Sequence, residues 1–183
     1  QKQLWKIEPI SKFYYIGPSF RRERPQKGRL RQFNQFGVEA IGSHNPEQDA
    51  EIISMAYNIY KMFGVTNLEI KINSLGSGDI REKYSADLKK SLLKFKNEFN
   101  EAELIRLEKN PLRILDSKNK NDIDVSKNGP IITEYLSPES YHYFDEIKNG
   151  LKNLDIKFIE NTNLVRGLDY YCHTVFEFKT DSL

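Results

Sequence analysis

Two runs rich in aromatic and β-branched residues, 12–16 and 32–41, flank a polar, strongly basic connection over residues 22–31 that is punctuated by Pro25 and Gly28. Strand-forming residues on both sides of such a segment specify an antiparallel hairpin. Its connection far exceeds a two-residue turn, and connections of that length carry function or are disordered; this one is read as functional. Side chains alternate along a strand, so Phe33, Gln35, Gly37 and Glu39 share one face of the second run, and Phe36, Val38 and Ala40 share the other. The first face presents an aromatic plate, an amide and a carboxylate in a row, with Gly37 leaving space between the polar pair. The second is apolar and is expected to meet the core.

Beyond the hairpin, Asn45 can cap a helix, Pro46 suits its first position and Gln48 can complete a capping box. Ile52, Ile53, Ala56, Ile59, Tyr60 and Phe63 recur at helical spacing, and Gly64 supplies the stop. Residues 68–72 alternate with period two, which predicts a strand covered on one face that closes the first sheet segment. From 77 to 154 the chain turns to lysine-rich amphipathic stretches, notably 80–99 and 141–154, broken at 110–111 and 118–130. Ser137 and Pro138 mark a helix start within it. Residues 157–160, 164–166 and 174–179 return to strand-like composition. The order is sheet, helices, sheet: an α+β chain with a first core segment at 1–76, a helical insertion at 77–154 and a second core segment at 155–183.

Composition removes several classes of function. At 183 residues the chain suits one domain carrying an inserted module. No stretch approaches 18 uncharged apolar residues, and the N-terminal residues lack a signal-peptide core, so neither membrane spanning nor export is expected. A single cysteine, Cys172, builds neither an intrachain disulfide nor a CxxC site and fits a reducing, cytoplasmic setting. Gly76, Ser77 and Gly78 lack the third glycine of a dinucleotide fingerprint, and no Walker-type loop occurs. His44, His142 and His173 show no metal-ligand spacing, so no metal ligands are expected. A net charge of +2 predicts no generic polyanion binder, so any such site must come from local clustering.

That clustering exists. Residues 21–31 hold six basic side chains, Arg21, Arg22, Arg24, Lys27, Arg29 and Arg31, against one acid, Glu23. Like charges so dense repel unless an anion or solvent lies among them, and arginine forks match phosphate oxygens bidentately, so the choice is a polyphosphate site or a solvated loop. A second constellation, Arg166, Gly167, Asp169, Tyr170 and Tyr171, reads either as a site or as a turn held by an Arg166–Asp169 salt bridge. Lys89, Lys90, Lys94 and Lys96 in the insertion are either a solvated helix face or contacts for nucleic-acid phosphates.

Residues 20–39, FRRERPQKGRLRQFNQFGVE, resemble motif 2 of class II aminoacyl-tRNA synthetases in its histidyl-specific form, and residues 164–171, LVRGLDYY, resemble that family's histidine-specific peptide. The resemblance continues through INSLG at 72–76 and NPLRILDSK at 110–118, covering nearly the whole chain. It implies part of an antiparallel six-stranded catalytic sheet with flanking helices, interrupted by a helical insertion near the tRNA acceptor arm. It implies activation of histidine by ATP and Mg²⁺ to histidyl-adenylate, transfer to histidine tRNA, and a homodimeric parent. Carried over by motif, Arg21 binds the α-phosphate, Glu23 the adenine edge, Arg29 the outer phosphates, and Phe33 stacks on adenine. Gln35 faces the α-amino end of histidine, and Glu39 and Tyr171 bond the imidazole, with Tyr170 beside them. Arg166 sits across the α-phosphate from Arg21, the two forming the catalytic pair, and also borders the histidine. Motif 1, motif 3 and an anticodon domain are missing from these residues, which implies an internal segment that is inactive alone. The alternative in another class is the histidine-binding regulatory subunit of ATP phosphoribosyltransferase.

Overall fold

The computed structural model describes residues 10–117, 119–166 and 171–181. The hairpin forms as β1 (Ser11–Phe20) and β2 (Gln32–Ile41), antiparallel and in unbroken register, with Tyr15 opposite Gly37 and Phe20 opposite Gln32. Its long connection is itself folded. The Arg21 N–H donates to the Arg31 carbonyl at 2.8 Å, and Gln26 and Arg29 exchange both backbone bonds at 3.1 and 2.8 Å. Gly28 makes that turn with φ +75°, a conformation other residues adopt at a cost.

Helix α1 (Pro46–Met62) starts and stops where its sequence signals lie. Its expected capping box does not form: Asn45 makes no side-chain cap bond, and the Gln48 amide donates to Glu51 at 2.8 Å. Pro46 and the acids Glu47 and Asp49 start the helix instead.

Strand β3 (Glu69–Ser74) corrects a second expectation. Among the described residues it makes no ladder with the hairpin; it lies between β4 (Ile159–Glu160), parallel, and β5 (Thr174–Lys179), antiparallel. The parallel pair needs a long crossover, and the intervening helices supply it. Residues 164–166 form no strand.

Between β3 and β4 run α2 (Gly78–Leu92), a 3₁₀ continuation (Leu93–Glu98) kinked at Phe95, α3 (Glu101–Lys109), α4 (Leu112–Leu115), α5 (Lys120–Ser126), a 3₁₀ turn (Ile132–Tyr135) and α6 (Pro138–Asn153). The capping box falls at α3: the Glu103 N–H donates to Asn100 Oδ1 at 3.0 Å, and the Asn100 N–H to Glu103 Oε2 at 2.8 Å. Ser137 caps α6 as read, accepting from the Ser140 N–H at 3.1 Å. Helix α5, in a stretch read as a break, is capped by Asn119.

Two cores result. Tyr84, Leu88 and Leu92 of α2 pack with Leu107, Ile114, Val125, Ile132 and Leu164. Ile53 of α1, Ile70 and Ile72 of β3, and Phe144, Ile147 and Leu151 of α6 form the other. Helices α1 and α6 approach closely because Gly150 faces Ala50: a Cβ built on Gly150 would lie 3.2 Å from the alanine methyl. Helix α6 thus shares its core with the sheet and α1, whereas α2–α5 build the other.

Candidate functional site

The two sequence constellations meet at a cleft of about 760 Å³. Glu23 and Arg29 reach it from the hairpin tip, Val165 and Arg166 from the segment after β4, and Arg106, Arg113, Asp116 and Asp122 from α3–α5. Residues 23 and 166 come to one cleft only through the tertiary fold. Arg166 is placed by an anchor that carries no charge. The buried Asn73 side chain, at the end of β3, donates to the carbonyls of Thr162 at 3.2 Å and Leu164 at 3.0 Å. The Arg166 guanidinium donates in turn to the Phe176 carbonyl of β5.

At the hairpin tip, Arg29 Nη1 lies 2.9 Å from Glu23 Oε2, with both side chains more than half exposed. Such a pair is worth at most about 1 kcal/mol, so incoming groups can exchange with it cheaply. The Arg21 guanidinium stacks on Phe33, 3.9 Å from the ring centroid, bringing together two residues read as nucleotide ligands. Along β2, the Gln35 amide donates to Tyr15 Oη at 3.0 Å, and the Tyr15 ring fills the space over Gly37. Glu39 is exposed on the same strand face.

Arg21, Phe33, Gln35, Glu39 and Tyr171 do not line the cleft that joins Glu23, Arg29 and Arg166. Tyr171 sits just before β5, where its carbonyl accepts from Arg81 Nη1 at 3.4 Å. Tyr170 and the possible Arg166 partner Asp169 lie outside the described residues. The opposite face of β2 departs from expectation. Phe36 is 48 % exposed, because β1 and β2 form a two-stranded ladder whose described neighbour is α1 rather than a second sheet layer.

Sequence reading missed three contributors. Asn73 falls in the polar register of an alternating strand, beside Glu69 and Lys71, so nothing in the sequence signalled its burial. Tyr15 was visible only as a strand former. Asp122 is fully buried, its Oδ2 3.6 Å from Arg106 Nη1, and neither carboxylate oxygen has a hydrogen bond from the protein. A buried carboxylate so weakly partnered ties α3 to α5 through its charge alone.

A second cleft of about 520 Å³ is lined by His44, Asp49, Tyr143, Cys172 and His173. Burial, reinforced by the Asp49 carboxylate, pushes the Tyr143 phenol up to about 12, and its hydroxyl donates to Asp49 at 3.3 Å. Among the described residues no three His, Cys, Asp or Glu side chains are grouped to hold a metal ion, and no helix is long and apolar enough to cross a membrane.

The profile of the family described as "Histidyl-tRNA synthetase" matches residues 2–178. The chain belongs to that family. It is 48 % identical over 179 residues to the histidine--tRNA ligase of Wolbachia pipientis subsp. Culex pipiens, covering 97 % of this chain and 44 % of the relative. With the histidine--tRNA ligase of Staphylococcus epidermidis it shares 50 % identity over 175 residues, 96 % of this chain and 41 % of the relative. The chain therefore spans less than half the length of these curated histidyl-tRNA synthetase relatives. A solved structure of apo S. aureus histidyl-tRNA synthetase superposes with a TM-score of 0.68 at 42 % identity, over 91 % of this chain and 38 % of that one. An ATP phosphoribosyltransferase regulatory subunit/histidyl-tRNA synthetase from Bacillus halodurans, at 18 % identity and a TM-score of 0.57, shares the fold alone.

Proposed function

We propose that this chain supplies the motif 2 and histidine-recognising part of an enzyme that activates histidine with ATP and charges histidine tRNA. The observation that carries the reading is the convergence of Glu23, Arg29 and Arg166 on one cleft. Arg21 and Arg166 act as fixed guanidiniums on either side of the α-phosphate, where attack by the histidine carboxylate spreads negative charge, and neither has to exchange a proton. Arg29 leaves Glu23 for the outer phosphates, freeing the Glu23 carboxylate to accept from the adenine amine. Phe33 offers the base a stacking plate. Gln35 takes the α-ammonium, while Glu39 and Tyr171 engage the two imidazole nitrogens, a pattern few other amino acids can imitate.

Magnesium bound to ATP would offset phosphate charge, with the phosphates among its ligands. The work of the protein is to position two anions. The parent acts in the cytoplasm as a homodimer, as the family resemblance implies. The regulatory alternative rests on a fold shared at 18 % identity and has no separate observation behind it.

The test is histidine-dependent pyrophosphate exchange by the full-length protein. Arg166→Lys keeps one charge but loses the planar fork, and kcat is expected to fall about 10²–10³-fold with little change in KM. If Arg166 only pins the Phe176 carbonyl, the variant loses thermal stability and keeps its kcat, which overturns the catalytic role. Glu39→Gln is expected to cost on the order of 1.5–3 kcal/mol in histidine binding, seen as a rise in histidine KM with ATP KM unchanged.

A further inference from the structure

Tyr15 stands directly across the β1–β2 ladder from Gly37, so it projects from the same sheet face as Gln35, Gly37 and Glu39. Its ring lies over Gly37 so closely that a Cβ at that position would be 2.1 Å from Tyr15 Cζ. Its hydroxyl accepts the Gln35 Nε2–H at 3.0 Å. The gap between amide and carboxylate, which the sequence shows only as a glycine, is thus filled by an aromatic ring whose hydroxyl holds one end of the amide.

We infer that Tyr15 is a positioning residue of the histidine subsite, holding the Gln35 amide in place for the substrate. This rests on the reading of Gln35 as the ligand of the α-ammonium group. An ammonium has three donors and no acceptor, so it can use Gln35 only through Oε1. The Tyr15 hydroxyl holds the amide through Nε2, which in this arrangement leaves Oε1 for the ammonium, and the ring over Gly37 limits how far the amide can swing. Gly37 follows as a consequence, since any side chain there displaces the ring.

Pyrophosphate exchange by the full-length protein tests this, with Tyr15→Phe as the main variant because it keeps the ring and deletes only the hydroxyl. Histidine KM is expected to rise about 3–10-fold, the scale of one neutral hydrogen bond, with ATP KM and kcat within about twofold of wild type. Gln35→Ala removes the amide that Tyr15 holds, so adding Tyr15→Phe to that background is expected to change histidine KM by less than about twofold. An unchanged histidine KM in Tyr15→Phe, an equal rise in both KM values, or the same penalty in the Gln35→Ala background each overturns the inference. A wild-type protein without histidine-dependent exchange overturns the underlying assignment of the site instead. A purely structural tyrosine would lower the melting temperature without separating the two KM values.

Discussion

The hairpin and the β3-centred body are built from the same kinds of residue and end in opposite states. Tyr14, Ile16 and Phe20 of β1 are 74, 72 and 73 % exposed, whereas Ile70 and Ile72 of β3 are fully buried. Strand propensity is similar in both; what differs is the number of covering layers. Strand β3 has a neighbour on each side and helices α1 and α6 against Ile70 and Ile72. The hairpin has one ladder, and its described ties to the body include a Lys12–Glu51 ion pair to α1. Apolar burial at roughly 25 cal/mol per Å² therefore stabilises the body, while these hairpin side chains, on the face opposite Gln35 and Glu39, stay exposed.

The largest test of this contrast is a pair of truncations in this chain. Leu151→Ala, in the fully buried face of α6, is expected to cost about 2–5 kcal/mol in denaturant unfolding. Ile16→Ala is expected to stay within about 0.5 kcal/mol. Equal costs would show that the hairpin is buried after all. Two left-handed glycines sharpen the same point. Gly76 has φ +65°, and a Cβ there would lie 2.9 Å from Ile80 Cγ2, while Gly28 has φ +75° with nothing within 4 Å. Both alanine variants carry backbone strain of about 1–2 kcal/mol. Overpacking adds about 1–3 kcal/mol at Gly76 only, which comparison of the two melting temperatures reads directly.

Alkaline pH probes the body from another side. The Tyr143 phenol, raised by burial and then by Asp49, stays protonated in the folded state after the unfolded chain has lost its proton. Its stabilising contribution is full below about pH 10, the ordinary phenol value, and is lost as pH rises through about 12. Tyr143→Phe should therefore flatten the fall in melting temperature between those values. Tyr84, also raised by burial, retains its share of the slope.

The smallest effect is at the joint. The Lys12 Nζ donates to both Glu51 oxygens, at 2.6 and 2.7 Å, and this bond holds the Glu51 carboxyl below its usual value. Lys12→Ala is expected to cost no more than about 1 kcal/mol, with the difference shrinking as salt is added. The Glu51 stabilisation is present above the unfolded carboxyl pKa and fades as pH falls through the folded one. Titration of Glu51 by NMR in both variants follows it.

Local chemistry determined much on its own. The strand runs, the helix after Pro46, the Ser137 cap and the terminal strand are legible because each depends on neighbours within one or two turns. The basic tip and the face carrying Phe33, Gln35 and Glu39 are legible for the same reason, since alternation is a property of any strand. Tertiary structure decided the rest. Which strand pairs with β3 depends on residues beyond all of α2–α6. Asn45 has capping chemistry, yet the cap formed at Asn100, where Glu103 could answer it. Arg166 lines the same cleft as Glu23 and Arg29 while Asn73 holds the carbonyls of residues 162 and 164, and Tyr15 reaches Gln35 because register sets it over Gly37. Such contacts join residues distant along the chain, and single-sequence periodicity carries no information about which distant partner a side chain will meet.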